Sequence, residues 1–249
     1  MANKKPNIDE ILAEAESKQI QELKKDNLKL LKQLDKAKNR KEDMVDAVYQ
    51  AVDSNLKLWD KPKIPKPTQV KRSKSEEIAI AVLSDIQLAK VTPDYNSEIA
   101  EERVVEYAHK VVELTNLQRQ AHPISKCAVF AAGDIIEGEL IFPGQSHLID
   151  SSLYKQVTID GPRIMTKFFD ILLANFDEVD VHWVIGNHGH LGGRNRKDYH
   201  PDTNADRMLG NIMAMVYRDE KRIQWTIPDS TGDNHWFDIA NLGEDCKFL

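Results

Sequence analysis

A chain of 249 residues, 41% of them hydrophobic, is long enough for one good-sized domain with an appendage and apolar enough for a real core. Its net charge of -6 excludes a protein that is basic overall, and a 30% share of charged residues calls for a long solvated element. With only Cys127 and Cys246, a polar start from Met1 to Glu10 and no run near the roughly 18 apolar residues of a membrane span, the chain reads as a cytoplasmic protein without a disulfide framework or membrane anchor.

Residues 8 to about 59 are rich in Lys, Glu, Leu, Ala and Gln and contain neither Gly nor Pro. A heptad register places Leu23, Leu30, Ala37, Met44, Ala51 and Leu58 at d. Ile20, Asn27, Leu34, Lys41, Val48 and Asn55 fall at a. An apolar d line with Asn in the a line predicts a coiled coil, in which the Asn fixes register at some cost in stability. The alternative is a long amphipathic helix folded back on its own domain. Segment 1–59 is therefore expected to be helical and to make the protein a homo-oligomer.

Pro62, Pro65 and Pro67 break the helix, and Lys71, Arg72 and Lys74 continue the break as a basic tether, so 60–75 reads as an extended linker. From 76 to 249 strands and helices alternate. Strands are predicted at Ile78–Leu83, Lys126–Ala132, Val179–Ile185, Ile223–Ile227 and Trp236–Ala240. Helices are predicted from Ser97, as N-cap, to about Gln120, from Ile149 to Phe176 with a split at Gly161-Pro162, and from Asp202 to Tyr217. Such alternation implies an α/β fold, a central, largely parallel sheet flanked by helices. Cys246–Leu249 reads as a strand that has barely begun.

Three strand ends share one build, an apolar run followed by a polar cluster: Ser84-Asp85-Ile86-Gln87, Gly133-Asp134-Ile135-Ile136-Glu137 and Gly186-Asn187-His188-Gly189. Ends of parallel strands are where such sheets carry chemistry, and a glycine there lets a ligand approach the main chain. Carboxylate, amide oxygen and imidazole together suit Mn, Fe or Zn in pairs, which generate a hydroxide nucleophile and neutralise a phosphoryl group. A histidine beside them can protonate a leaving alkoxide. The ordinary alternatives are turn and capping roles for Asp85, Asp134 and Asn187, packing for His182, and a second shell or acidic rim for Glu137 and Glu139.

In that order and at strand ends, the three clusters resemble the first three motifs of the calcineurin-like metallophosphoesterases, over residues 77 to about 190. Phe142-Pro143-Gly144-Gln145 is similar to a branch common in phage genomes, loosely grouped with nuclease-like phosphoesterases. The resemblance implies that Asp85 binds a first metal, Asp134 bridges two, Asn187 binds the second and His188 contacts the scissile phosphate. It further implies two divalent ions, most readily Mn, a nucleic-acid or nucleotide phosphodiester as substrate, and, for a phage-encoded chain, the host cytoplasm.

Gln87 stands where that family has a metal-ligating histidine, and a neutral amide is a poorer ligand for Mn or Zn. Gly189 stands where the third motif has an acid that would orient His188. The later Gly-His-any-His motif does not occur, so the domain is expected to be incomplete and its turnover weak. His190, His200 and His235 are candidate substitute ligands, and the basic loop Gly192–Lys197 a candidate phosphate contact. The rival reading is a non-catalytic coiled-coil interaction protein on a degenerate phosphoesterase fold.

Overall fold

The computed structural model describes residues 25, 29, 32, 46–50, 52–54, 64–67, 77–192, 203–228, 240–241 and 247–248. The chain divides into two compact units, Met1–Ala51 and Val52–Leu249. In the first, every described residue is helical. The heptad expectation otherwise lies outside the described residues, as do most of the linker, the loop 193–200 and the strand expected at Trp236.

In the second unit, strands β1 (Glu77–Leu83), β2 (Ile124–Ala132), β3 (Glu178–Val184) and β4 (Ile223–Thr226) form one sheet in the order β1-β2-β3-β4. All three pairings are parallel, with Leu83 opposite Ala131 and Ala132 opposite Val184. The crossovers carry helices α1 (Ser97–Gln118), α2 (Gly161–Leu173) and α3 (Ala205–Val216). This is the predicted α/β arrangement. Residues Ala240–Asn241 and Lys247–Phe248 pair antiparallel as a separate two-stranded ribbon, so the final segment is a strand with a partner.

The three helices pack in series, α1 on α2 and α2 on α3. A buried stripe on α1, Ala100, Val104, Ala108, Val111 and Thr115, follows the helical repeat. On α2, Ile164, Met165, Phe168, Phe169, Leu172 and Leu173 are all buried. Phe169 meets Trp225 of β4 edge-on at 5.0 Å between centroids, and Tyr107 of α1 stacks on Phe168 at 6.2 Å. Buried side chains of this size each contribute about 1.5–3 kcal/mol, so the helix-covered layer dominates the stability. Cys127 lies in it as a free thiol, which burial pushes up to about 12 against a smaller lowering by Arg119.

On the other side of the sheet Phe130 stacks on His182 at 5.2 Å, which gives the strand histidine its packed role. Ile80 and Val82 alternate with buried Ala81 and Leu83 and are each 45% exposed.

Local chemistry moves two predicted boundaries. Asn96, not Ser97, caps α1, its side chain accepting from the Ile99 N–H at 2.9 Å. Ser97 instead donates its N–H and hydroxyl to Asp150, at 2.8 and 2.6 Å. The second helical stretch begins at Leu153 rather than Ile149, because Ile149 bridges to Lys90. The split expected at Gly161-Pro162 falls where α2 begins. A single π-helical turn, Gln156–Asp160, runs into Gly161, where a β-carbon would lie 2.5 Å from Gln156 O and 2.9 Å from Leu209 Cδ1. Pro162, the second residue of α2, falls in its first turn, where proline is tolerated. No helix among the described residues is long and apolar enough to cross a membrane.

Candidate functional site

Beyond their last ladder residues, β1 and β2 continue side by side as irregular backbone. The Asp85 N–H donates to Gly133 O at 3.3 Å, Gln87 N–H to Asp134 O at 2.9 Å and Leu88 N–H to Ile135 O at 2.9 Å. Along this path Asp85, Gln87, Ala89 and Asp134 have φ of 53, 47, 83 and 53°, and Gly133 has φ 85°. Left-handed backbone at non-glycine residues costs about 1 kcal/mol or more each, and such strain clusters where side chains must be aimed.

Across the next strand boundary the approach is tighter. A β-carbon on Gly186 would lie 2.2 Å from both the N and Oδ1 of Asp134, so only glycine lets the loop after β3 rest on that carboxylate. With the loop in place, the His188 N–H donates to Asp134 Oδ1 at 2.7 Å. The His188 ring places Nδ1 3.1 Å from both the carbonyl oxygen and Oε2 of Glu137. The ring hydrogen bond goes to the carbonyl, and Oε2, within a residue only 2% exposed, is left without a hydrogen-bond donor among the described residues. Gln145 Nε2 fixes the other side of Glu137, donating to its O and Oε1 at 2.9 and 3.0 Å. The His188 ring thus rests against Glu137, three residues after Asp134, through its carbonyl oxygen, with the carboxylate Oε2 beside it. The small residue at 189 has a steric cause, since a β-carbon there would meet Asn204 Oδ1 at 2.5 Å.

Asn204 and Asp206 were not legible as site residues. Asn204 caps α3 through its Oδ1, which accepts from Asp206 and Arg207 N–H, and its Nδ2 donates to Gly186 O at 3.1 Å. Asp206 is fully buried. Its Oδ2 accepts from Gly186 N–H at 2.9 Å and Asp134 N–H at 3.1 Å, and its Oδ1 from Ile136 N–H at 3.0 Å. Burial pushes this carboxyl up to about 6. Hydrogen bonds from Ile136 and Gly186 oppose the rise, and the neighbouring Asp134 charge adds to it. One carboxylate thus ties the loops after β2 and β3 to the start of α3. Such an Asn-x-Asp pair at a helix start reads in sequence as an ordinary cap, and only its burial distinguishes it.

The five predicted residues do not stand alike. Asp134, His188 and the backbone of Gln87 are joined by hydrogen bonds, and Asp85 is exposed beside Gly133. Asn187 is exposed between Gly186 and His188. Gln87 Oε1 is engaged, accepting from Lys90 Nζ at 2.5 Å. His190 is buried and pairs through its backbone with Asn204, while His200 and His235 lie outside the described residues.

Among the described residues no three His, Cys, Asp or Glu side chains group closely enough to hold a metal. The donors on offer are the carboxylates of Asp85 and Asp134 and the amide oxygen of Asn187. Hard oxygen donors of this kind fit Mn²⁺ better than Zn²⁺. Comparison with family models, with curated proteins and with solved structures found no match for this chain.

Proposed function

We propose that the α/β unit is a metal-dependent phosphoesterase acting on a phosphodiester of a nucleic acid or nucleotide. One observation carries this reading. Strained, left-handed backbone at Asp85, Gln87 and Asp134 coincides with a histidine whose N–H rests on Asp134 and whose ring is backed by the buried Glu137. Strain of that kind at adjoining strand ends serves to aim side chains at a ligand.

Asp85, Asp134 and Asn187 would hold the divalent metal. When bound, it supplies a hydroxide nucleophile and neutralises charge on the phosphoryl oxygens. His188 keeps Nδ1 against Glu137, which leaves Nε2 to carry the proton for the leaving alkoxide. Glu137 fixes the ring plane and stabilises positive charge on it.

The reading is tested by hydrolysis of bis(4-nitrophenyl) phosphate by the full chain with and without Mn²⁺. Hydrolysis is expected only with the metal, and Asp134→Ala is expected to abolish it. Full activity in that variant would refute the assignment.

A second reading, a non-catalytic interaction protein that oligomerises through its N-terminal helix, is favoured by the engagement of Gln87 with Lys90. Mn²⁺ titration discriminates the two: tight binding supports the enzyme, none supports the platform.

A further inference from the structure

Beside Asp85, between the end of β1 and the first turns of α1, lies a cavity of about 540 Å³ lined in part by Gln87, Lys90, Asp94, Tyr95 and Arg103. It contains two cations, Lys90 and Arg103, and two carboxylates, Asp85 and Asp94, and among the described residues neither cation has a carboxylate within ion-pair distance. Both cations are placed in advance. Lys90 is half-buried, its N–H donates to Gln87 O at 3.0 Å, it bridges to Ile149, and its ammonium is held on Gln87 Oε1 at 2.5 Å. The Arg103 guanidinium lies over the Tyr95 ring at 5.3 Å from its centroid, and the Tyr95 hydroxyl donates to Ile86 O, inside the Asp85–Gln87 turn.

A lysine held by a neutral amide keeps its full charge and two N–H donors for a ligand, and a stacked guanidinium keeps its in-plane fork. A phosphate group meets both needs, taking charge-assisted hydrogen bonds from each. We propose that this cavity is an anion subsite for a phosphate group of the substrate, with Lys90 and Arg103 as its ligands and Gln87 as the residue that aims Lys90. Gln87 is thereby assigned to holding an ammonium rather than a metal, and the fixed positive charge on this side of the site comes from the protein. The role in turnover rests on the phosphoesterase reading; the binding does not.

Inorganic phosphate is the probe, titrated calorimetrically into the full chain in EDTA. Lys90→Gln and Arg103→Gln are each expected to weaken binding about tenfold or more, and Lys90→Arg to restore most of it. Asp85→Asn is expected to tighten phosphate binding by removing one of the negative charges that line the cavity while lowering Mn²⁺-dependent hydrolysis, two effects of opposite sign. Phosphate binding that is absent in both the wild-type chain and Asp85→Asn, or that is unchanged in Lys90→Gln, overturns the subsite. Binding that follows these substitutions in a chain without hydrolysis leaves the subsite standing and refutes the phosphoesterase reading. Hydrolysis with phosphate binding indifferent to Lys90 does the reverse.

Discussion

Asp206, in the first turn of α3, sets its Oδ2 3.1 Å from the backbone N–H of Asp134, a residue 72 positions earlier in the chain. Because Gly186 and Ile136 donate to the same carboxylate, three amides from two loops depend on one buried group. Asp206→Asn puts an amide NH₂ where an acceptor is required and leaves at least one N–H facing a donor. The expected cost is about 3 kcal/mol of stability, from buried hydrogen bonds to a charged acceptor. The local signature is faster hydrogen exchange at Asp134, Ile136 and Gly186 than at the β2–β3 ladder. Unchanged protection at those three amides would show that the clasp holds nothing.

Sequence patterns carried the strand ends well and the clasp poorly, for physical reasons. Asp85, Asp134 and His188 each follow an apolar run, and a parallel strand buried on its helix face reads as such a run. The order of three such ends marks a candidate site before any distance is known. Asp206 is different. An acidic residue in a first helical turn is usually solvated and stabilised by the helix dipole, and burial against loops from other crossovers is a tertiary fact that no local pattern encodes. Glu137 was visible as an acid near the site, but whether it faces His188 or water depends on Gln145 and on the path of the loop 137–145. The start of the second helix moved for a similar reason, since the bridge between Ile149 and Lys90 competes with local helical preference.

Gly186→Ala tests the packing of the two loops. The added β-carbon would stand 2.2 Å from backbone N and carboxylate Oδ1 of Asp134, and the first of these cannot swing away as the end of a flexible side chain can. The substitution is expected to cost about 3 kcal/mol, at the upper end for overpacking, and to lower Mn²⁺ affinity by displacing the Asp134 carboxylate. Thermal melts read the first effect and metal titration the second. A variant with wild-type melting and metal affinity would mean that the loops have room the structure does not give them.

Glu101 joins α1 to α2 by accepting from both Arg163 and Lys167. Burial raises its carboxyl, but the hydrogen bonds and charges of the two cations outweigh that and hold it below the usual carboxylate range. Its folded value is therefore depressed relative to the unfolded chain. The stabilisation is present above the unfolded value and is lost as pH falls through the folded one. Glu101→Gln should destabilise by about 0.5–1 kcal/mol at pH 7, discounted because Arg163 and Lys167 are 46% and 53% exposed. The difference should shrink below about pH 4 and in high salt. A gap between variant and wild type that does not narrow as pH falls would place the effect in packing rather than charge.

Glu137→Gln separates orientation of His188 from simple filling of space. A glutamine has nearly the same volume, so the buried site stays packed, and its amide oxygen can still accept from Gln145 Nε2. Its NH₂ would then face His188 Nδ1, where Glu137 now presents a carboxylate oxygen at 3.1 Å. That arrangement sets a donor against the ring nitrogen and removes the negative charge behind the imidazole. Phosphodiester hydrolysis is expected to fall about 10- to 100-fold, the usual scale for losing the partner that orients an active-site histidine. On the proposed reading the loss should appear in kcat with KM nearly unchanged, because Glu137, buried behind the histidine, would act on proton transfer through it rather than on substrate binding. Steady-state kinetics on bis(4-nitrophenyl) phosphate check this, with a thermal melt to show that the variant is folded. A rise in KM at constant kcat would assign Glu137 to shaping the substrate cavity, and wild-type kinetics would leave the His188–Glu137 contact as packing alone.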